Sequence, residues 1–210
     1  MLYHLPTLVI SVIVLFYWGR VLRMAQKSRR VCGHSANLIP REPMGKLTRI
    51  IWFPVTALWI ALPPITVIGH MRQTWLQPLF FSAPVAWIAV AAAIAALLGS
   101  LVCWKIMGRS WRMGIDPDEV TPLVTSGPYA VVRHPIYALS SLLVLCSAAS
   151  CASPLMLCVA TLHILLLLFE SRREEIYLIR RHGPAYVEYR RHTGRFVPRL
   201  AAPQTVAESP

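Results

Sequence analysis

The stretch from Thr125 to Tyr137 concentrates side chains that could bind a charged ligand. Its aromatic and cationic members are Tyr129, Arg133, His134 and Tyr137. Pro135 suits the first turn of a helix, where its missing N–H is not needed. Arg133 and His134 would then precede a helix N-terminus, whose free N–H groups favour an anionic ligand. The other interpretation is a basic interfacial loop that only caps a transmembrane helix.

A second charged group follows the last long apolar segment. The adjacent acids Glu174 and Glu175 lie between the arginine pairs 172–173 and 180–181. Such a pattern is usually a solvated, salt-bridged helix face. It becomes a candidate second wall of the Arg133-His134 site if both stretches lie on the same side of a membrane.

The composition indicates an integral membrane protein. The chain of 210 residues is 56% hydrophobic and 14% charged, whereas soluble domains carry about 25% charged residues. The net charge of +12 would suit a nucleic-acid partner, but the long apolar runs argue against one. Positive loops instead determine orientation in a membrane, and membrane lipids are the expected partners.

The apolar runs predict an all-α fold with about five transmembrane helices. Three single spans are predicted at Leu5–Trp18, Ile50–Ile68 and Pro84–Trp104. The run from Ile136 to Phe169 is too long for one span, which needs about 20 residues. Turn residues at 150–154 divide this run into a tight hairpin of two helices of about 16 residues each.

Several residues inside the spans carry separate expectations. Pro54 and Pro63-Pro64 predict a kink, and the many small residues of the third span predict a central packing helix. His163 is either functional or hydrogen-bonded to a neighbouring helix. The cysteines are expected to be small core residues: Cys32, Cys103, Cys146, Cys151 and Cys158. The first span lacks the features of a cleaved signal peptide and is expected to be retained.

The distribution of cations predicts the orientation. Residues 20–49, 105–133 and the tail after 170 hold 20 of the 21 Lys and Arg, and the connection 69–83 holds only Arg72. Five spans with the N-terminus outside place these basic regions in the cytoplasm. Three acids in 105–133 are expected to form a solvated turn, and no metal site is predicted: Asp116, Asp118 and Glu119.

The two charged stretches together resemble a known family. The pattern Gly-Pro-Tyr-x-x-x-Arg-His-Pro-x-Tyr at 127–137 is similar to the central motif of the isoprenylcysteine carboxyl methyltransferase and phospholipid methyltransferase type. The acids at 174–175, the residues Gly183, Tyr186 and Tyr189, and the ending at 195–198 resemble its C-terminal signature. The resemblance covers residues 100–200. It divides the chain into N-terminal helices 1–99, a methyltransferase core 100–200 and a disordered tail 201–210.

The resemblance implies a helical membrane fold that binds S-adenosylmethionine without a Rossmann domain, and the sequence has no GxGxxG motif after a strand. By motif position it implies a cofactor pocket lined by Leu123, Val124, Tyr129, His134, Pro135, Ile136, Tyr137 and Glu174. A tyrosine would pack on the adenine or approach the sulfonium, and Glu174 would accept from the ribose or the ammonium group. Arg133 would pair with a carboxylate or anchor the loop, and His134 would take a proton from an amine or hydroxyl acceptor.

The expected activity is methyl transfer to a lipophilic or lipid-anchored acceptor (a carboxylate, amine or hydroxyl) at the cytoplasmic face of a bacterial plasma (inner) membrane. The prenylcysteine enzymes carry an arginine one turn before the first tail acid, whereas this chain has Glu170 there. Arg172 and Arg173 are therefore the expected substrate-binding residues. Two alternatives remain: an NADPH-dependent enzyme similar to sterol reductases, and a non-catalytic membrane protein that keeps the fold.

Overall fold

The computed structural model describes residues 4–32, 40, 42–68, 76–79, 82–115 and 122–199. Within these residues the chain forms six α-helices and no β-strand, which confirms the all-helical prediction. The helices are α1 (Leu5–Cys32), α2 (Pro43–Ile68), α3 (Ala83–Met107), α4 (Pro135–Cys151), α5 (Pro154–His182) and α6 (Pro184–His192). Short 3-10 turns lie at Gly108–Ser110 and Gly127–Ala130.

Four of these helices, α1, α2, α3 and α5, are long and apolar enough to cross a membrane, and α4 is a shorter apolar helix of 17 residues. Their outer faces expose large apolar side chains that lipid would cover, including Val12, Phe16, Ile50, Ile88, Leu98, Leu145 and Leu165. The chain is thus an integral membrane protein. The count of five spans, the orientation and the cytoplasmic position of the tail stay predictions.

The first helix is longer than the sequence predicts. It runs past Trp18 to Cys32, and α2 already begins at Pro43. The reason is that the residues after Trp18 are mostly good helix formers, including arginine, leucine, methionine, alanine, glutamine and lysine. Much of the predicted basic loop 20–49 is therefore helical. Pro54, Pro63 and Pro64 all lie inside α2.

Helices α4 and α5 form a hairpin whose turn lies within the predicted residues 150–154. Only Ala152 and Ser153 separate α4 from α5. Ala152 adopts a left-handed conformation, with φ of 47°, and Ser153 Oγ accepts from Met156 N at 3.2 Å. Helix α5 has 29 residues because the spanning arm continues out of the apolar run until Gly183-Pro184, as the pattern of apolar and charged residues after Phe169 predicts.

The small residues of α3 let it pack closely against α4, in the most extensive contact between two helices of the described chain. A Cβ atom added at Gly99 would lie 3.1 Å from Leu139 Cδ1. The buried face of α3 consists of Ala86, Ala89, Val90, Ala93, Ala96, Ser100, Cys103 and Trp104. The helix also contacts α1, as expected of a central packing helix.

Aromatic side chains from several helices pack together in the core. Tyr17 and Trp18 of α1 pack against Trp59 of α2, and Tyr17 also packs against Trp104 of α3. His163 of α5 lies 4.8 Å from the Trp59 ring and places Nε2 3.0 Å from Ser140 Oγ of α4. The structure therefore gives His163 the interhelical hydrogen bond that was one of its two interpretations.

Some sequence predictions fall on residues outside the described ranges. These are the acids at 116, 118 and 119, the tail 201–210, most of the connection 69–83 and the side chain of Cys32. Among the described cysteines, Cys103, Cys146 and Cys151 are buried as expected, whereas Cys158 is exposed.

Candidate functional site

Residues 127–137, the motif loop, are bound by backbone hydrogen bonds to the C-terminal tail, meaning here the described residues after 170. Arg133 N donates to Gly194 O at 2.8 Å, His134 N donates to Arg195 O at 3.1 Å, and Gly194 N donates to Val131 O at 3.1 Å. Tyr189 Oη also donates to Tyr129 O at 2.6 Å. The two stretches that the sequence marks as chemically interesting are therefore in direct contact.

Gly127 at the start of this loop is required by its conformation and by its surroundings. Its φ is +60°, and an added Cβ would lie 2.6 Å from Ile106 Cδ1 of α3. Residues with a side chain rarely adopt this conformation. The glycine thus lets the loop turn tightly against the end of α3.

Glu175 is a buried carboxylate that joins the loop to the tail. Arg133 Nε donates to its Oε1 at 3.0 Å, and Arg195 donates to its two oxygens at 3.0 and 2.6 Å. Arg133 Nη1 donates in addition to the carbonyls of Arg190 and Thr193. Arg133 is thereby committed to anchoring the loop, which is one of the two roles the sequence allowed.

Glu174, the neighbouring acid, instead faces the motif aromatics. Tyr137 Oη donates to Glu174 Oε1, and His134 Nδ1 lies 3.5 Å from Glu174 Oε2. The His134 and Tyr137 rings stack almost in parallel, 4° apart with centroids 5.5 Å apart. Phe196 of the tail packs edge-on against both rings. The two adjacent acids thus differ in role, since Glu175 fastens the tail and Glu174 lines the site.

The two acids set the protonation of His134. Burial disfavours the charged imidazolium, but the carboxylates of Glu174 and Glu175, each 3.5 Å from a ring nitrogen, outweigh burial and raise the pKa of His134. A protonated imidazolium donates and does not accept a proton. The raised pKa favours the charged form, and the role of His134 as general base stays a prediction.

These residues surround one cavity with an empty volume of about 1050 Å³, which includes its open mouth. All eight residues predicted to bind a cofactor line it: Leu123, Val124, Tyr129, His134, Pro135, Ile136, Tyr137 and Glu174. Arg133 lines it as well. The structure thus brings the predicted set together, and its binding of a cofactor stays a prediction.

The cavity is also lined by residues that were not predicted from the sequence. These include Trp111, Arg112, Tyr177, Arg181, Tyr186 and Tyr189. Tyr186 and Tyr189 belong to the tail signature, and the spacing of Tyr177, Arg181 and Glu174 along one helix face gave a signal that could have found them. Trp111 follows α3 without any recognisable pattern.

The expected substrate-binding residues, Arg172 and Arg173, lie outside the cavity. Neither lines the cavity, and Arg172 is exposed. Arg173 Nη1 donates to Glu170 Oε1 at 2.7 Å, and its Nη2 pairs with Glu42 before α2. Arg173 thus ties α5 to the start of α2.

The chemistry of the lining residues fits S-adenosylmethionine. Tyr129 and Tyr186 are 5% and 1% exposed, and their hydroxyl groups have no partner in the described part of the chain, so a polar ligand would satisfy them. Burial raises the pKa of both tyrosines and keeps them neutral. Glu174 offers a negative group for an ammonium or ribose, and Arg181 at the surface offers a positive group for a carboxylate.

Residues 84–185 match the model of the family described as phospholipid methyltransferase. This part of the chain is therefore similar to the phospholipid methyltransferase family. The match agrees with the resemblance and includes the motif loop, the hairpin and Glu174.

Two curated relatives are bacterial proteins named for metal resistance. The chain is 32% identical over 116 residues to the nickel-cobalt-cadmium resistance protein NccN of Alcaligenes xylosoxydans xylosoxydans, covering 55% of this chain and 54% of that protein. It is 27% identical over 168 residues to the cobalt-zinc-cadmium resistance protein CzcN of Cupriavidus metallidurans, covering 79% and 68%. The match thus spans about half the length of the first relative.

Proposed function

We propose that the protein is an S-adenosylmethionine-dependent methyltransferase that acts on a lipophilic acceptor at the membrane surface. The observation that carries the proposal is the cavity in which the motif loop and the tail meet around Glu174. The family match gives methyl transfer as the reaction class. The cavity supplies aromatic rings, a carboxylate and cations of the kinds that this cofactor needs.

When bound, S-adenosylmethionine supplies an electrophilic methyl group carried on a sulfonium. The side chains of this protein would exclude water and hold the reactants in line, and such orientation contributes about 7–11 kcal/mol in well-aligned reactions. Tyr137 lies at the contact with Glu174, between the cofactor cavity and the helix bundle. We assign to Tyr137 the positioning of Glu174 and to the stacked His134 ring the support of Tyr137.

Calorimetric titration of the purified protein tests the proposal. S-adenosylmethionine should bind the wild-type chain, and Glu174→Ala should abolish that binding. Glu188→Ala is the matched control, because Glu188 lies on the same tail, is exposed and, among the described residues, forms ion pairs only with the exposed Arg191 and His192. Equal binding by Glu174→Ala and wild type would remove the tail from the site.

The same titration with NADPH separates this function from a reductase. NADPH binding without S-adenosylmethionine binding would replace the proposal with the reductase, and binding of neither would favour a non-catalytic protein. We place the site on the cytoplasmic side of a bacterial inner membrane because the charge distribution favours that orientation.

A further inference from the structure

A second cavity lies next to the first, deeper among the helices. Its empty volume is about 570 Å³. Four residues line both cavities and form the boundary between them: Trp111, Arg112, Ile136 and Tyr137. The rest of its wall is largely aromatic and apolar, with Tyr17, Trp18, Trp52, Trp104, Leu166 and Leu167. A molecule in this cavity would therefore lie against the cofactor site.

This cavity is lined by buried donors that have no acceptor. Arg49 Nε, Trp18 Nε1 and Trp104 Nε1 find no hydrogen-bond partner among the described residues, and these residues are 8%, 7% and 3% exposed. Each is a group that can only donate. Trp59, just outside the lining, differs because its indole N–H donates to Ser147 Oγ at 2.9 Å. Buried polar groups are almost always satisfied, so three unsatisfied donors on one cavity indicate a ligand that accepts.

Arg49 gives this donor set a fixed positive charge. Its Nη2 donates to Met113 O at 2.8 Å, and its guanidinium carbon lies 4.9 Å from the centre of the Trp52 ring. In the described chain no carboxylate comes within 4.0 Å of the Arg49 nitrogens. The acid on the same wall, Glu170, is instead paired with Arg173 at 2.7 Å. Arg49 is thus held in place with its charge available to a ligand.

We propose that the second cavity is the acceptor site and binds an apolar molecule through an oxyanion, a carboxylate or a phosphate ester. Arg49 Nε and the indole N–H groups of Trp18 and Trp104 donate to the oxyanion, and the aromatic wall covers the apolar body. The inference rests on the proposed methyl transfer for the role of acceptor. The class of ligand rests on the unsatisfied donors alone, because a positively charged amine could not accept hydrogen bonds from them.

Quenching of tryptophan fluorescence by a bromine-terminated fatty acid tests this site. The full chain in an uncharged detergent should show saturable quenching by the acid at neutral pH, but not by the alcohol or amine of the same chain length. Arg49→Gln should weaken binding on the order of 10- to 100-fold, as expected for a buried charged hydrogen bond. Trp18→Phe and Trp104→Phe, which remove only an N–H from an aromatic wall, should each weaken it by about 2- to 10-fold.

The controls separate lost recognition from lost folding. Trp59→Phe makes the same substitution outside the lining and should leave the affinity for the acid unchanged. Arg49→Lys keeps the charge and should recover part of the affinity. Displacement by dodecanoate or by dodecyl phosphate distinguishes the two sources of the oxyanion, and either result supports the site. Equal quenching by acid, alcohol and amine, or unchanged affinity in Arg49→Gln, would overturn the proposal.

The quenching experiment and the S-adenosylmethionine titration test the oxyanion site and the methyltransferase separately. If S-adenosylmethionine binds but the three probes are not discriminated, the second cavity is not an oxyanion site and the methyltransferase stands. If the acid binds selectively but S-adenosylmethionine does not bind, the site stands and its role as methyl acceptor falls.

Discussion

Glu175 offers a direct test of how the motif loop is held. Glu175→Gln keeps the size of the side chain and one acceptor oxygen but removes the charge shared by Arg133 and Arg195. The Arg133 side chain is 9% exposed and the Arg195 side chain 34%. The loss should therefore fall mainly on Arg133, because water can solvate Arg195.

The magnitude follows from the burial of this pair. Breaking a buried ion pair by removing one partner costs about 3–5 kcal/mol, and the partial exposure of Arg195 places the expected cost near the lower end, about 3 kcal/mol. In a chain of this length about 1 kcal/mol corresponds to roughly 2–4 °C in melting temperature. Glu175→Gln should thus melt about 6–12 °C below wild type.

The assay is thermal unfolding in detergent, combined with limited trypsin digestion. The tail carries Arg195 beside the loop, so its release should speed cleavage after Arg195 and weaken S-adenosylmethionine binding. Glu188→Gln, on the exposed face of α6, should behave like wild type in all three measurements. Unchanged melting and an unchanged digestion pattern in Glu175→Gln would refute the role of Glu175 as the link between loop and tail.

Three further predictions concern the loop, the imidazole and the helix packing. Gly127→Ala should lower the free energy of unfolding by about 1–3 kcal/mol because the residue has a positive φ. Adding Ile106→Ala should recover only the part of this loss that is due to the 2.6 Å contact. Equal stability of Gly127→Ala and wild type would contradict the turn. Because the pKa of His134 is raised in the folded state, its charged form stabilises the fold. This stabilisation is complete below the unfolded pKa near 6.5 and is lost as pH rises through the folded pKa. The melting temperature of wild type should fall over that range and that of His134→Gln should not, and parallel profiles would refute the linkage. Gly99→Leu should lower the melting temperature because Leu139 is already close, whereas Gly19→Leu, with no neighbour within 4 Å, should not; equal effects would contradict close packing of α3.

The sequence predicted the positions of the helices better than their lengths. The turn at 150–154 was visible because serine, alanine and proline interrupt a continuous apolar run. The end of α1 was not, because the charged residues after Trp18 are also good helix formers, so a pattern of hydropathy ends before the helix does. Polar residues mark where a helix leaves the apolar core and do not mark where it ends.

The first cavity was predictable because most of its expected lining residues are concentrated in two short motifs. The second cavity was not, because its donors come from distant parts of the chain: Trp18 on α1, Arg49 on α2 and Trp104 on α3. In the sequence each of these is an ordinary interfacial aromatic or loop cation. Only the packing of the helices shows that they surround one cavity and lack acceptors.

The measurement that tests the central claim most directly is methyl transfer itself. Membranes containing the protein would be incubated with S-adenosylmethionine labelled in its methyl group, and the labelled products extracted and identified. We expect label in a lipophilic product with wild type and with Glu188→Ala, and none with Glu174→Ala. Label that is absent with wild type, or that is equal with Glu174→Ala, would contradict the assignment of this cavity to methyl transfer.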